Sequence, residues 1–209
     1  FTLIGGRLSK GTYKTPISSI VANFNPPTKD KPSLLNHQEV ETFFHEFGHI
    51  MHQTLTKAPY SSLSGSSVSH DFVEAPSQML ENWVWDPKIL NILSGHYKNL
   101  EKKLPPKMIE RLLAARDFNS GNRYTRQLYL ALSDMNIHTK HEKVDVIKVF
   151  DEVYKNVVGI ESVPGNRVPA GFGHLMGGYD AGYYGYLWSE VYAEDMFTKF
   201  EDGKLLDPQ

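Results

Sequence analysis

The sequence contains no cysteine. That excludes disulfides, thiolate nucleophiles, zinc ribbons and iron–sulfur clusters, and leaves the redox compartment open. Neither sign of charge dominates: 22 Lys and Arg stand against 24 Asp and Glu, a formal net charge of −2. Broad electrostatic binding of nucleic acid needs clustered positive charge, so it is excluded as a function class. No apolar run approaches the ~18 residues of a membrane-spanning helix, so no membrane partner is expected. The first residues lack an initiator Met, a charged segment and the apolar core of a signal peptide. A processed chain, or one cut from something longer, is therefore expected. What is present is ordinary in bulk, with 40% apolar and 22% charged residues over 209 positions, enough to bury a core. The unusual counts are 9 His and 11 Tyr.

Residues 1–35 lack helical periodicity and are punctuated by Gly5-Gly6, Gly11, Pro16, Pro26-Pro27 and Pro32. Ile17 to Phe24 is expected to form a strand, and Thr2 to Ile4 another. From Asn36 the period changes: Val40, Phe43, Phe44, Phe47, Ile50, Met51 and Leu55 recur at helical spacing. Asn36 and Glu39 make a capping-box pattern, which places a helix over about 36–56. A second helix is expected over about 72–85, capped by Asp71 and with Pro76 in its first turn. Further helices are expected over 88–103, from Pro105-Pro106 with Met108, Ile109, Leu112 and Leu113 inward, over Arg123 to His138, Asp145 to Val157 and Tyr183 to Phe200. Residues 163–185 are glycine-rich and irregular. No repeat or linker divides the chain, so 1–209 is expected to be a single region, mainly α, with a small β-sheet near the N-terminus.

His45-Glu46-Phe47-Gly48-His49 is an HExxH sequence. Two histidines four apart on a helix lie about 6 Å apart along its axis and close together around it, so both can reach one zinc. Glu46 projects beside them as a general base for water. A catalytic zinc needs a third protein ligand and an open position. His52 is excluded as that ligand, because it lies about 10 Å along the helix from His45. The three-histidine pattern HExxHxxGxxH fails as well, since it requires Gly and His where His52 and Leu55 stand. A carboxylate from the following helix remains. Glu74 is favoured for its place in the first turn, with Glu81 as the rival on the same segment. Glu41 and Glu81 are also candidates to accept the other ring N–H of the ligand histidines; the alternative for each is a solvated helix charge.

Residues 171–192 carry five tyrosines (179, 183, 184, 186 and 192), His174 and several glycines. Tyr184 and Trp188 are expected to pack. Phenol or imidazole donors beside flexible glycines also suit a hydrolytic site, where an oxyanion must be stabilised. A phosphate-loop reading of GFGHLMG is excluded by its spacing and by the lack of the Lys-Ser/Thr pair.

Three stretches carry a resemblance: LLNHQEVETFFHEFGHIMHQ (34–53), DFVEAPSQMLENWVW (71–85) and FGHLMGGYDAGYYGYLWSEVYAEDMF (172–197). With weaker likeness between them, the sequence resembles the zinc oligopeptidase family of thimet oligopeptidase, neurolysin and their microbial relatives over nearly its whole length. The resemblance implies a zincin-like helical metallopeptidase catalytic domain and one Zn2+ per chain, held by His45, His49 and Glu74. It implies that Glu46 activates water, that His174 and Tyr186 bind substrate and stabilise the oxyanion, and that Tyr179 and Tyr183 touch substrate. The expected activity is endopeptidase cleavage of short, unstructured peptides in a deep channel between two domains. Family members are several hundred residues longer, so a missing N-terminal domain is expected to close that channel. The cytoplasm is the expected compartment, with mitochondria as the alternative. His70 stands where relatives vary, and Gly182 adds a glycine to the loop. Two other readings stand beside this one: a zinc-binding fragment without turnover, and an exopeptidase removing C-terminal dipeptides. The strand at 17–24 is further expected to pair with extended substrate.

Overall fold

In the computed structural model, which describes residues 1–200 and 204–207, the N-terminal segment folds into two short antiparallel pairs. Strand β1 (Thr2–Ile4) pairs with β4 (Ile17–Ser18), and β2 (Arg7–Ser9) pairs with β3 (Thr12–Lys14). The turn between β2 and β3 is Lys10-Gly11, both at positive φ, the two-residue geometry that matches strand twist. The strand expected over Ile17 to Phe24 stops at Ser18. Its last bonds join Ser19 to Phe1, and residues 20–24 meet no strand partner among the described residues. The strand present in the stretch expected to pair with substrate is thus limited to Ile17–Ser18.

Helix α1 spans His37–Thr54 and begins as its sequence dictates. Asn36 Oδ1 accepts the Glu39 N–H at 3.0 Å, and Glu39 Oε2 accepts the Asn36 N–H at 2.8 Å. The next expected helix is broken into α2 (His70–Val73), α3 (Ala75–Glu81) and a 3-10 turn at Asn82–Trp85. Pro76 explains the break: it has no N–H to bond back across Glu74, so a new helix starts there. Ser69, not Asp71, is the N-cap; Asp71 lies inside the first turn. Helix α4 (Pro87–Leu93) is capped by Asp86, which accepts the Lys88 and Ile89 N–H groups. It is ten residues shorter than expected at its C-terminus, because residues 96–102 close on themselves through the His96 N–H to Lys102 O bond. In α5 (Pro106–Arg116) Ile109 is buried but Met108 faces outward.

The chain divides into two compact units, Phe1–Arg116 with Ser189–Gln209, and Asp117–Trp188. In the first, α1 packs on α3. Its apolar residues do not all turn inward. Phe43, Phe47, Met51 and Leu55, each four after the last, are 38–65% exposed, and the buried positions are Gly48 and Gln53. The second unit is built on α6 (Ser120–His138) and α7 (Val146–Val158). Asp145 caps α7 by accepting the Lys148 N–H, and Gly159 ends it at φ +83°, a conformation that costs a glycine nothing. Phe150 of α7 is fully buried against Tyr129 and Phe172. The glycine-rich segment holds α8 (Val168–Gly171) and a 3-10 turn at Gly173–Met176. Helix α9 (Gly185–Phe197) continues from the second unit into the first and ends in a 3-10 turn at Thr198–Phe200. The architecture is mainly helical, as expected, and no helix of the described residues is long and apolar enough to cross a membrane.

Candidate metal centre

Helix α1 sets His45 and His49 one turn apart on one face, with ring centroids 4.9 Å apart and planes at 87°. The position of α3 against them depends on Gly48. A Cβ there would lie 2.5 Å from Ser77 Cα and 2.8 Å from Pro76 O, so only glycine admits this approach. The contact brings the α2–α3 junction over the imidazoles. Glu74, at that junction, is 3% exposed. Its Oε2 lies 3.2 Å from His45 Nε2 and 3.1 Å from His49 Nε2. Ser77 Oγ donates to Glu74 Oε2 at 3.1 Å and to its carbonyl at 2.8 Å, which holds the carboxylate in place.

These three donor atoms lie within 4.8 Å of one another. Ligands of a tetrahedral zinc, with bonds of 2.0–2.1 Å, sit about 3.3 Å apart, close to both observed Glu74 distances. Two imidazoles and one carboxylate also leave a fourth position, so the donor set fits a catalytic metal. Glu81, the rival, takes a different place: its Oε1 lies 2.6 Å from His45 Nδ1. That bond turns Nε2 toward Glu74. Burial opposes charge on His45, but the hydrogen bonds and charges of Glu74 and Glu81 outweigh it and push its pKa up from 6.5 to about 10. Two carboxylates thus converge on a spot that favours a cation. The Glu81 carboxyl is itself raised, by burial first, with His45 opposing.

Glu41 does not serve a ligand histidine; its Oε1 accepts the Trp85 indole N–H at 2.7 Å. His52 stands outside the donor set, as expected, with its Nδ1 buried and unpartnered among the described residues. Its pKa is lowered, by burial and then by the charge of His49. Glu46 is half-buried on α1 between the two ligand positions. Gly48 and Ser77 were not singled out by sequence. Gly48 carried a signal, because a glycine inside a helix costs about 1 kcal/mol and calls for a packing reason. Ser77 carried none.

The second unit gathers the other expected residues. The His174 ring lies 5.7 Å from Tyr179, 5.0 Å from Tyr183 and 5.6 Å from Tyr186, and Tyr179 stacks on Tyr186 at 5.1 Å. Tyr183 belongs to the buried core of this unit, and burial pushes its phenol up against the opposing influence of Arg126 and a hydrogen bond with Gln127. His174, Tyr179 and Tyr186 are half-buried. Tyr184 and Trp188, expected to pack, are exposed, because the buried positions of this segment fall at Gly182, Tyr183, Gly185 and Ser189.

Thimet-like oligopeptidase of Dictyostelium discoideum is 44% identical to this chain over 200 residues, 94% of the chain and 30% of the relative. Saccharolysin of Saccharomyces cerevisiae is 43% identical over 197 residues, 90% of the chain and 27% of the relative. Oligopeptidase A of Escherichia coli (strain K12) is 39% identical over 201 residues, 94% of the chain and 29% of the relative. The chain thus spans under a third of the length of these relatives. The sequence model of Peptidase family M3 matches residues 1–208, which include the helix-borne histidines, the junction glutamate and the tyrosine loop. The chain belongs to peptidase family M3.

Proposed function

We propose that this chain is the single catalytic region of a zinc-dependent oligopeptidase that hydrolyses internal bonds of short, unstructured peptides. The observation that carries the reading is the buried Glu74 carboxylate meeting both HExxH imidazoles at 3.1–3.2 Å. Zinc held by His45, His49 and Glu74 would supply a Lewis acid that polarises the scissile carbonyl and acidifies water. Glu46 takes the proton of the attacking water and passes it to the leaving amine. Glu81 keeps His45 in the tautomer that leaves Nε2 free to ligate. His174 and Tyr186 donate to the oxyanion, a role supported by the resemblance and by their mutual contact. Tyr179, stacked on Tyr186, contacts the substrate, as does Tyr183, whose buried ring lies 5.1 Å from that of Tyr186 and 5.0 Å from that of His174.

The chain's share of its relatives' length and the exposed Phe43–Phe47–Met51–Leu55 stripe together support a larger parent protein whose further domain covers this face and closes the substrate channel. The cytoplasm is the proposed compartment. Cleavage of a quenched peptide by the zinc-loaded chain, abolished by a chelator, tests the reading, and mass spectrometry of the products separates internal cuts from removal of C-terminal dipeptides. Zinc bound at His45, His49 and Glu74 with no cleavage in the 209-residue chain would favour a binding fragment that needs the rest of the protein.

A further inference from the structure

Asp134 of α6 is a buried acid that the proposed chemistry does not use. It is 0% exposed. Its Oδ1 accepts the Ala181 N–H and its Oδ2 accepts the Tyr183 N–H, each at 3.0 Å. One turn along α6, His138 Nδ1 lies 2.9 Å from the same Oδ1. A carboxylate taken fully out of water needs such donors, and here the loop backbone supplies two of them.

The loop would not hold this shape unaided. Ala181 sits at φ +56°, a left-handed conformation unfavourable for a residue with a Cβ, and Gly178 turns at φ +90°. The backbone bonds within it are short-range, among them the Gly182 N–H to Tyr179 O at 2.9 Å, the Gly185 N–H to Gly182 O at 3.0 Å, and longer ones from the Tyr179 N–H to His174 O and the Tyr186 N–H to Tyr183 O, each at 3.3 Å. The two amides bonded to Asp134 lie between Tyr179 and Tyr186 in sequence. Tyr183, one of the two, carries its ring to 5.0 Å from His174 and 5.1 Å from Tyr186.

We propose that Asp134 is the positioning residue that fixes the backbone of the tyrosine loop, residues 179–186, through its buried carboxylate. What the loop then does rests on the peptidase reading above; the clamp itself does not. Asp134→Asn keeps the side-chain volume but replaces one acceptor oxygen with an N–H that faces a loop N–H.

Residue-resolved amide exchange on the 209-residue chain tests this. In the wild type, the Ala181 and Tyr183 amides exchange at least about a hundredfold slower than unstructured amides. In Asp134→Asn those two amides speed up by about tenfold or more, while Val149, Phe150 and Val153 of α7 keep their protection. Unprotected Ala181 and Tyr183 amides in the wild type overturn the proposal, whether or not the variant folds. So does an equal acceleration across α7, which would make Asp134 a general support of the unit. With zinc supplied, kcat/KM on a quenched peptide falls about tenfold or more in the variant at unchanged zinc affinity. An unchanged kcat/KM beside a loosened loop removes its part in the reaction. A wild type that binds zinc but cleaves nothing counts against the peptidase reading alone, because the exchange pattern decides the clamp without turnover.

Discussion

His45 Nδ1 and Glu81 Oε1 lie 2.6 Å apart, and this one bond sets which ring nitrogen faces Glu74. Glu81→Gln retains the volume but offers an amide where a carboxylate accepted the ring N–H. Loss of such a partner costs about 10–100-fold in metal affinity. Competition against a chelating dye should show that fall for zinc, with the circular dichroism spectrum unchanged. Unaltered affinity would mean that packing, and not Glu81, orients the ring.

Gly48→Ala sets two effects against each other. The substitution gains about 1 kcal/mol of helix propensity. It also drives a methyl to 2.5 Å from the Ser77 backbone, which cannot swing aside as a flexible side chain could. Overpacking of this kind costs about 1–3 kcal/mol. The variant should unfold at lower urea and bind zinc more weakly, since Glu74 moves with α3. A stabilised variant would show that α1 and α3 separate freely.

His52 lines a cavity of about 460 Å³ with Met51, Leu55, Leu63, Met79 and Trp83. Its folded-state pKa is depressed below 6.5, so the unfolded chain takes up a proton more readily than the folded one. The sign follows: stability is fully present above about pH 6.5 and is lost as pH falls below it. His52→Leu removes this loss and the unpartnered buried Nδ1, worth about 1 kcal/mol. Urea midpoints for the two proteins should diverge in the variant's favour between about pH 8 and pH 5. A constant gap across that range would assign the acid sensitivity elsewhere.

Glu46→Gln should keep zinc affinity and lose at least about a hundredfold in turnover, as expected when a general base is removed. Tyr186→Phe should lower kcat by about ten to a thousandfold, the cost of one oxyanion donor. Both need steady-state kinetics beside a zinc titration. If Glu46→Gln retains most of its turnover, another group takes the proton.

The features legible in the sequence are those built from neighbours along the chain. The capping box at Asn36 and Glu39, the pairing of His45 with His49, and the Pro76 start all depend on spacing within one or two turns. Local sterics and helical periodicity determine such features before any packing occurs. Contacts between distant segments were a different matter. That Glu74 and not Glu81 meets both imidazoles, and that Glu81 rather than Glu41 serves His45, follows from the close crossing of α1 and α3 at Gly48. The strand expected to Phe24 ended at Ser18 because a strand exists only where another pairs with it. The Asp134 clamp joins residues 47 and 49 positions apart, a separation no local pattern encodes. Sequence alone determined the mainly helical architecture, the pairing of His45 with His49 on one helix face and the chemistry open to that pair; which carboxylate meets both imidazoles, and which accepts the loop amides of Ala181 and Tyr183, was decided by tertiary packing, because only folding brings those carboxylates to their partners.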